Sequence, residues 1–242
     1  MVFKQIIRRL LQNKTLLFVS ITGLIISMVS GIVIFQYLFF EFSFDNFHDN
    51  ADKIYRIERN AVRSKKDAGG ITTSMMAEEV LTSKIPGVID VVRLHPVFGD
   101  AIIETSDNSF NMNHLYYSDS SFFSFFSYQL LHGTVDVALH KPDGIAISKS
   151  ASLKIFGTDN SVNKTLTIYD RYNGKTNYNV TAVFEDFPLN THLKTEILLP
   201  IENLLKHRMY TRENPWKWAN FRTYIVSVGK RSKSEYIVMK IF

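Results

Sequence analysis

Residues 15–40 read TLLFVSITGLIISMVSGIVIFQYLFF, 26 residues without a single charge. As an α-helix this run would be roughly 39 Å long at about 1.5 Å per residue, enough to cross a hydrocarbon core of about 30 Å with some tilt. Gln36 is its one strongly polar side chain, close to the far end. Lys4, Arg8, Arg9 and Lys14 stand before or at its start, and no acid occurs in the first 40 residues. By the positive-inside rule these four cations set the topology, with the N-terminus in the cytoplasm and everything after Glu41 outside. A cleaved signal peptide would carry an apolar region of only about 7–15 residues ending in small side chains. This run is longer and leaves through Tyr37, Phe39, Phe40, Phe42, Phe44 and Phe47, rings that suit a membrane interface. It is read as an uncleaved anchor.

Two finer patterns accompany the span. Phe3, Ile6, Ile7, Leu10 and Leu11 recur at helical spacing opposite Lys4, Arg8 and Arg9. That pattern predicts a short amphipathic helix on the cytoplasmic leaflet, the plainer alternative being a basic flank. Within the span, Gly23, Ser27 and Gly31 fall at i, i+4 and i+8. Such a stripe admits a second transmembrane helix closely, although small residues are also common in spans without one.

The whole chain has 242 residues, a formal charge of +5 and a pI near 9.2, which on its face invites nucleic acid. Setting the four N-terminal cations aside leaves 24 basic against 23 acidic residues, a nearly neutral remainder. No nucleic-acid partner is expected. The absence of Cys excludes a disulfide scaffold, a thiolate metal site and a Cys nucleophile.

The remaining 200 residues predict a mixed α+β domain. Strands are expected at Ile54–Asn60, Val88–His95, Ile145–Ile147, Glu196–Leu199 and Thr223–Val228. Ala101–Glu104 and Phe110–Asn113 flank the turn residues Ser106–Asn108 as a hairpin. Thr165–Tyr169 and Asn177–Phe184 flank Asn173–Gly174, a type I′ turn signal. Helices are expected at Ser74–Lys84, in the aromatic run Ser120–Tyr128, and at Ser148–Phe156 with Gly157 as the C′ residue.

No catalytic motif survives inspection. Gly174–Lys175–Thr176 ends like a phosphate-binding loop, but the leading glycine position holds Tyr169 and the segment sits in a hairpin. Ser161-x-x-Lys164 and Ser106–Asp107–Asn108 imitate penicillin-binding-protein motifs in the wrong order. The histidines at 48, 95, 114, 132, 140, 192 and 207 show no metal-ligand spacing. No catalytic residue, cofactor or metal is expected.

A series of segments carries a family likeness. Phe44–Asp45–Asn46–Phe47–His48 and Asp52–Lys53–Ile54–Tyr55–Arg56–Ile57 come first. Pro86–Gly87–Val88 with Arg93, Asp119–Ser120–Ser121–Phe122–Phe123 with Phe125–Phe126, and Leu131–His132–Gly133 follow. Ala138–Leu139, Ile147–Ser148–Lys149–Ser150–Ala151, Phe156–Gly157, and Val180–Pro188 with Asn190–Leu193 complete the set. In this order, after an N-terminal span, they resemble MacB/FtsX-type ABC transporter permeases, in the version common in Bacteroidetes-like bacteria. Ala182 and Thr191 depart from the family's "V-T-G-V-x-x-D-x-P-x-N-S-H" segment.

The resemblance implies a fold and a role. Residues 1–14 would be a cytoplasmic basic segment, 15–40 the first transmembrane helix, and 41–242 a two-lobed α+β periplasmic core domain of the bacterial inner membrane. Such a permease would be non-catalytic and would transmit the motion of a partner ABC ATPase to the periplasm, for export or for lipoprotein or peptide handling. Implied partners are the lipid bilayer, the ATPase, other permease helices in a dimeric assembly, and a periplasmic protein. Family members continue into three further spans, one of which contacts the ATPase. Nothing after Phe40 here approaches 18 apolar residues, so an incomplete permease is expected. The competing reading is a membrane-anchored extracytoplasmic hydrolase, which would need a deep polar pocket with convergent titratable groups. A sensor input domain is disfavoured, since about 14 residues before the span leave no room for an output module.

Overall fold

The structure, a computed structural model, describes residues 14–45, 47–48, 51–58, 72–206 and 219–228. It divides into two units, Met1–Asn46 and Phe47–Phe242. The first unit contributes helix α1, Lys14–Phe42, 29 residues in which the apolar run continues unbroken. The expected amphipathic segment before it lies outside the described residues, as do Lys4, Arg8 and Arg9.

The second unit is built on one mixed sheet. Its strands are β1 (Ile54–Ile57), β2 (Val88–Pro96), β3 (Ala101–Glu104), β4 (Ser109–Met112), β5 (Leu115–Ser118), β6 (Leu130–His132), β7 (Gly144–Ser148), β8 (Thr165–Asp170), β9 (Gly174–Phe184), β10 (Ile197–Pro200) and β11 (Arg222–Ser227). Their order is β1-β11-β2-β5-β10-β7-β9-β8-β3-β4, with β6 paired to β9 off this path. Two pairs are parallel, β5 with β10 and β7 with β9. The α+β class is as read from the sequence. The two lobes implied by the family likeness do not interrupt the sheet among the described residues, because β10 pairs β5 on one side and β7 on the other.

The period-2 alternation of the strands sorts side chains onto two covered faces. Ile145, Ile147, Ile197, Leu199, Leu115 and Tyr117 enter one buried cluster, closed by Ala151 and Ile155 of helix α4 (Lys149–Phe156) and by Ile201 and Leu204 of α5 (Ile201–Leu205). The in-between residues Ala146, Leu198, Val92 and Leu94 enter a second cluster with the aromatic run of α3 (Phe122–Phe125) and with Phe126 and Tyr128. The phenylalanines explain why this face is tight: each buried ring removes enough apolar surface from water to contribute roughly 1.5–3 kcal/mol. A smaller cluster packs Ala77 and Leu81 of α2 (Ala77–Lys84) on Val91, Ile225 and Ile57.

Three local expectations need correction. The strand at Ile54–Asn60 is regular only to Ile57, and Asn60 lies outside the described residues. Helix α2 starts at Ala77, three residues later than Ser74, because Thr73 is still paired with Phe221 of the sheet. The β8–β9 connection is no two-residue type I′ turn: Asp170 pairs with Gly174 across a three-residue loop, and of Asn173 and Gly174 only the glycine has positive φ, at 64°. The cause is Asp170, whose buried carboxylate accepts from the backbone N–H groups of Tyr172 and Asn173 and draws the loop round itself.

Candidate functional site

Helix α1 is equipped for a bilayer. Its 26 residues from Leu17 to Phe42 are long and apolar enough to cross a membrane, and their most apolar 18-residue stretch has a mean hydropathy of 2.4. The hydroxyls of Thr22, Ser27 and Ser30 donate back to the carbonyls of Phe18, Leu24 and Ile26, each at 2.8 Å, so none faces outward unpaired. That internal satisfaction is what hydrocarbon demands of polar groups. Gly23, Ser27 and Gly31 advance by only about 40° per four residues and share one helix face. Nothing lies within 4 Å of a Cβ built on either glycine, so the chain's own described side chains leave that face open. Lys14 is the first residue of the helix.

In the external unit, the segments that carry the family likeness meet one another in space. His48 is buried and its Nδ1 bonds the carbonyl oxygen of Phe126. Arg93 of β2 donates through Nε to Asp119 Oδ2 at 3.0 Å and through Nη2 to Oδ1 at 2.6 Å. The same guanidinium reaches Glu78 of α2 and donates to the Met75 carbonyl at 2.8 Å. Ser148 is the N-cap of α4, accepting from Ala151 N–H at 3.1 Å. Asp186 then accepts from Ser150 N–H at 3.0 Å and from its hydroxyl, placing an anion at the positive end of that helix. His192 Nε2 lies 2.7 Å from the Tyr224 hydroxyl. Gly133, at φ 90°, packs so closely on β9 that an added Cβ would stand 2.5 Å from the Thr181 carbonyl oxygen. These are clamps between strands, helices and loops.

The electrostatics agree with a structural use. Burial lowers the Arg93 pKa, but the Asp119 hydrogen bonds and charge outweigh it and leave it raised. Burial raises Glu78, with Arg93 opposing, and burial also raises Asp90. These groups line a cleft of about 270 Å³ with Ser118, Ser121 and Glu202. A second cleft, about 330 Å³, is lined by Gly133, Lys141, Asp143, Asn163 and Asn179 among others. The near-motifs dissolve on inspection. Ser161 is bonded to Ser152 at 2.8 Å, Lys164 lies over the Phe156 ring and Lys175 pairs with Glu104 at 2.6 Å. No group of three or more His, Asp or Glu among the described residues is placed to hold a metal ion.

Sequence reasoning missed two buried polar features. Tyr117 donates to Asp170 at 2.8 Å and accepts from Asn173 Nδ2 at 2.7 Å. His95 sits among the rings of Phe98, Tyr172 and Phe221, with centroids 5.0–5.5 Å away, and burial pushes its pKa down to about 4. A lone His or Asp in an alternating strand gives no signal of which face it takes.

The profile of the MacB-like periplasmic core domain matches residues 17–237, helix α1 and the external unit together. The chain belongs to that family. No curated protein sequence matches it. Among solved structures, this MacB-like chain is similar to a domain of a candidate permease protein from Porphyromonas gingivalis, with 21% identity and a TM-score of 0.63 over 77% of this chain and 80% of that one. It is also similar to the periplasmic region of MacB from Actinobacillus actinomycetemcomitans, with 16% identity and a TM-score of 0.52 over 76% and 78% of the two chains. At these identities the likeness concerns the fold.

Proposed function

We propose that this chain is a non-catalytic permease component of a MacB/FtsX-type ABC transporter. It would sit in the bacterial inner membrane with its N-terminus in the cytoplasm and its external unit in the periplasm. The observation that carries the reading is the extent of the family match, which takes in the membrane-spanning helix and the core domain in one collinear stretch. The motif clamps support it. A unit whose recurrent polar residues fasten elements to each other is suited to move as a body when its membrane helices tilt, transmitting the work of a partner ATPase. The sheet topology is compatible as well: β1 starts and β11 ends at the same end of the sheet, with Ile54 opposite Val226. Chain inserted between membrane segments needs that arrangement. Other permease helices, a second copy and a periplasmic protein are the partners this role requires. The hydrolase alternative needs free acid–base groups in a cleft, whereas Glu78 and Asp119 are engaged by Arg93.

The chain has no Cys, so single cysteines report cleanly. Ser106→Cys, in an exposed loop, is expected to react with a membrane-impermeant maleimide in cells with a permeabilised outer membrane and an intact inner one. A photo-crosslinker at Ser27 is expected to capture a transporter helix. Labelling only after the inner membrane is breached, or capture of lipid alone, would overturn the proposal.

A further inference from the structure

Strand β4 closes one end of the sheet, and β3 is its only strand partner among the described residues. The hairpin fixes which of its backbone groups are free. Thr105 N–H donates to the Asn108 carbonyl at 2.9 Å, so these two residues turn their backbone groups toward each other. Antiparallel pairs alternate between bonded and non-bonded. Phe110 and Met112 therefore bond across to Ile103 and Ala101, whereas Ser109 and Asn111 turn their N–H and C=O groups away from β3. Among the described residues these two N–H and two C=O groups have no partner. An open edge of this kind is a template for another strand, and proteins blunt it with lysine, proline, a bulge or shortness. β4 is short, but residues 108–113, NSFNMN, hold no charge and no proline, and the register from Ser109 to Met112 has no bulge. At the other end of the sheet, by contrast, β1 carries Arg56, paired with Glu58 at 3.1 Å.

The pattern of this edge is complementary to itself. Laid antiparallel on a second copy about a two-fold axis at Phe110, β4 sets Ser109 opposite the second copy's Asn111, and Asn111 opposite its Ser109. Each of these bonded pairs exchanges two hydrogen bonds, so every free group of both edges is used. Phe110, half-buried against the core cluster, then meets Phe110 of the second copy in the close non-bonded position, a favourable place for an aromatic pair. Asp107 falls opposite Asn113, so no like charges face each other. A two-fold contact of this kind closes at two copies.

We propose that β4 is a pairing edge for a second copy of this chain, joined through Ser109, Phe110 and Asn111 so that the sheets of two external units become continuous. A contact of so few residues is small for a dimer of free molecules. It suits chains confined to one bilayer, where the effective concentration of a second copy is high. In that respect the pairing rests on the membrane-anchor part of the proposed function.

The test uses the full chain, which has no Cys, reconstituted in lipid vesicles. Facing residues of a non-bonded antiparallel pair have Cα atoms about 4.5 Å apart, within reach of a disulfide. Under mild oxidation Phe110→Cys is expected to form a disulfide dimer several-fold faster than the exposed controls Tyr169→Cys and Leu189→Cys. Equal rates at the three positions would mean random collision and overturn the proposal. Asn111→Pro removes an N–H that bonds nothing in its own chain, at the cost of an exposed side-chain bond to Asp100. It should abolish the excess at position 110 while leaving the thermal midpoint little changed, since an edge strand tolerates proline there. Ser109→Lys with Asn111→Lys sets lysine opposite lysine and should also suppress the dimer, whereas Ser109→Lys with Asn111→Glu should restore it. Equal rates in these two backgrounds overturn the pairing. Should Phe110→Cys not fold, a mixture of Ser109→Cys and Asn111→Cys chains, both altered at exposed positions, takes its place. A mixed disulfide no faster than at position 189 then overturns the proposal. An anchored chain that gives none of these dimers leaves the proposed function standing, and release of the chain by alkaline carbonate would count against that function instead.

Discussion

Arg93 and Asp119, 26 residues apart, form a two-pronged ion pair that locks β2 to the turn after β5. The Arg93 backbone N–H also donates to Asp119 Oδ2 at 2.7 Å, so one carboxylate holds strand and side chain together. The Arg93 side chain is only 9% exposed and that of Asp119 13%. Removing Asp119 strips the buried Arg93 guanidinium of its two-pronged partner and leaves it only Glu78 and the Met75 carbonyl, a loss toward the lower end of the about 3–5 kcal/mol that breaking a buried pair costs. Asp119→Ala is therefore expected to lower the thermal unfolding midpoint sharply. Glu78→Gln, at the half-exposed end of the network, should cost under about 1 kcal/mol. Unfolding in detergent followed by circular dichroism compares the two, and equal effects would contradict the ranking.

His95 gives the external unit an acid sensitivity of known sign. Its folded pKa of about 4 lies below the ordinary 6.5, mainly because burial disfavours the imidazolium. As pH falls, the unfolded chain takes the proton first. The stabilisation from the neutral ring is complete above pH 6.5 and is lost as pH falls from 6.5 toward 4, by about 3 kcal/mol in all at roughly 1.36 kcal/mol per unit. Glu78 and Asp90 act oppositely, since carboxyls with raised folded pKa gain stability on acidification. The difference between the native chain and His95→Gln isolates the imidazole. Stability measured across pH 4–7 should fall less steeply in the variant, and parallel curves would refute the assignment.

Gly133 and Gly157 separate two costs that are usually mixed. Both have positive φ, at 90° and 68°. Gly157 closes α4 with open space round it, so Gly157→Ala should cost only the left-handed backbone term, about 1–2 kcal/mol. A Cβ at Gly133 would also stand 2.5 Å from the Thr181 carbonyl oxygen. Gly133→Ala is thus expected to be the more damaging by at least about 1 kcal/mol. Denaturant midpoints of the two variants decide it.

The same region explains what the sequence could and could not reveal. Helix α1, the α4 caps and most strands follow from charge-free length, the Ser148 and Gly157 signals and alternation. The phase of β9 does not. Its register with β7 jumps from Val180 opposite Ile145 to Ala182 opposite Ala146, so Thr181 is an extra residue. The Thr181 hydroxyl donates to the Ile145 carbonyl at 2.9 Å and holds the bulge. A tertiary hydrogen bond thus fixes which face Ala182 and Phe184 take, and no local pattern encodes it. Strands β5 and β6 and helix α5 carry no sequence signal of their own. They are three to five residues long, too short for a period to register, and they exist because neighbouring strands supply their partners. The Ser148 cap apart, the clamps that join one motif segment to another are visible as residues but not as pairs, since their contacts span 26 to 78 positions.

The α4 N-terminus offers a graded test of capping. Ser148→Ala removes the bond to Ala151 N–H and should cost about 1 kcal/mol. Asp186→Asn keeps the shape but removes the anion beside the first turn, an effect of about 0.3–1 kcal/mol that salt should diminish. Ser148→Ala should be insensitive to salt. Urea titrations at low and high ionic strength distinguish the two, and a salt-independent Asp186→Asn loss would point to hydrogen bonding alone.

The small-residue face of α1 can be tested for a partner because the chain itself does not use it. With nothing within 4 Å of a Cβ at Gly23 or Gly31, a larger side chain there meets no described atom of its own chain. Leucine is a better helix former than glycine and as apolar as its neighbours, so Gly23→Leu and Gly31→Leu should leave insertion intact. Close approach of a second helix would be blocked, since such packing depends on small residues that let backbones meet. The double variant is expected to insert normally but to lose most crosslinking from position 27 to any helix partner. Ile25→Leu, on another face, should leave it unchanged. Undiminished crosslinking in the double variant would mean that Gly23, Ser27 and Gly31 face lipid, and that any packing partner of α1 meets it along a different stripe.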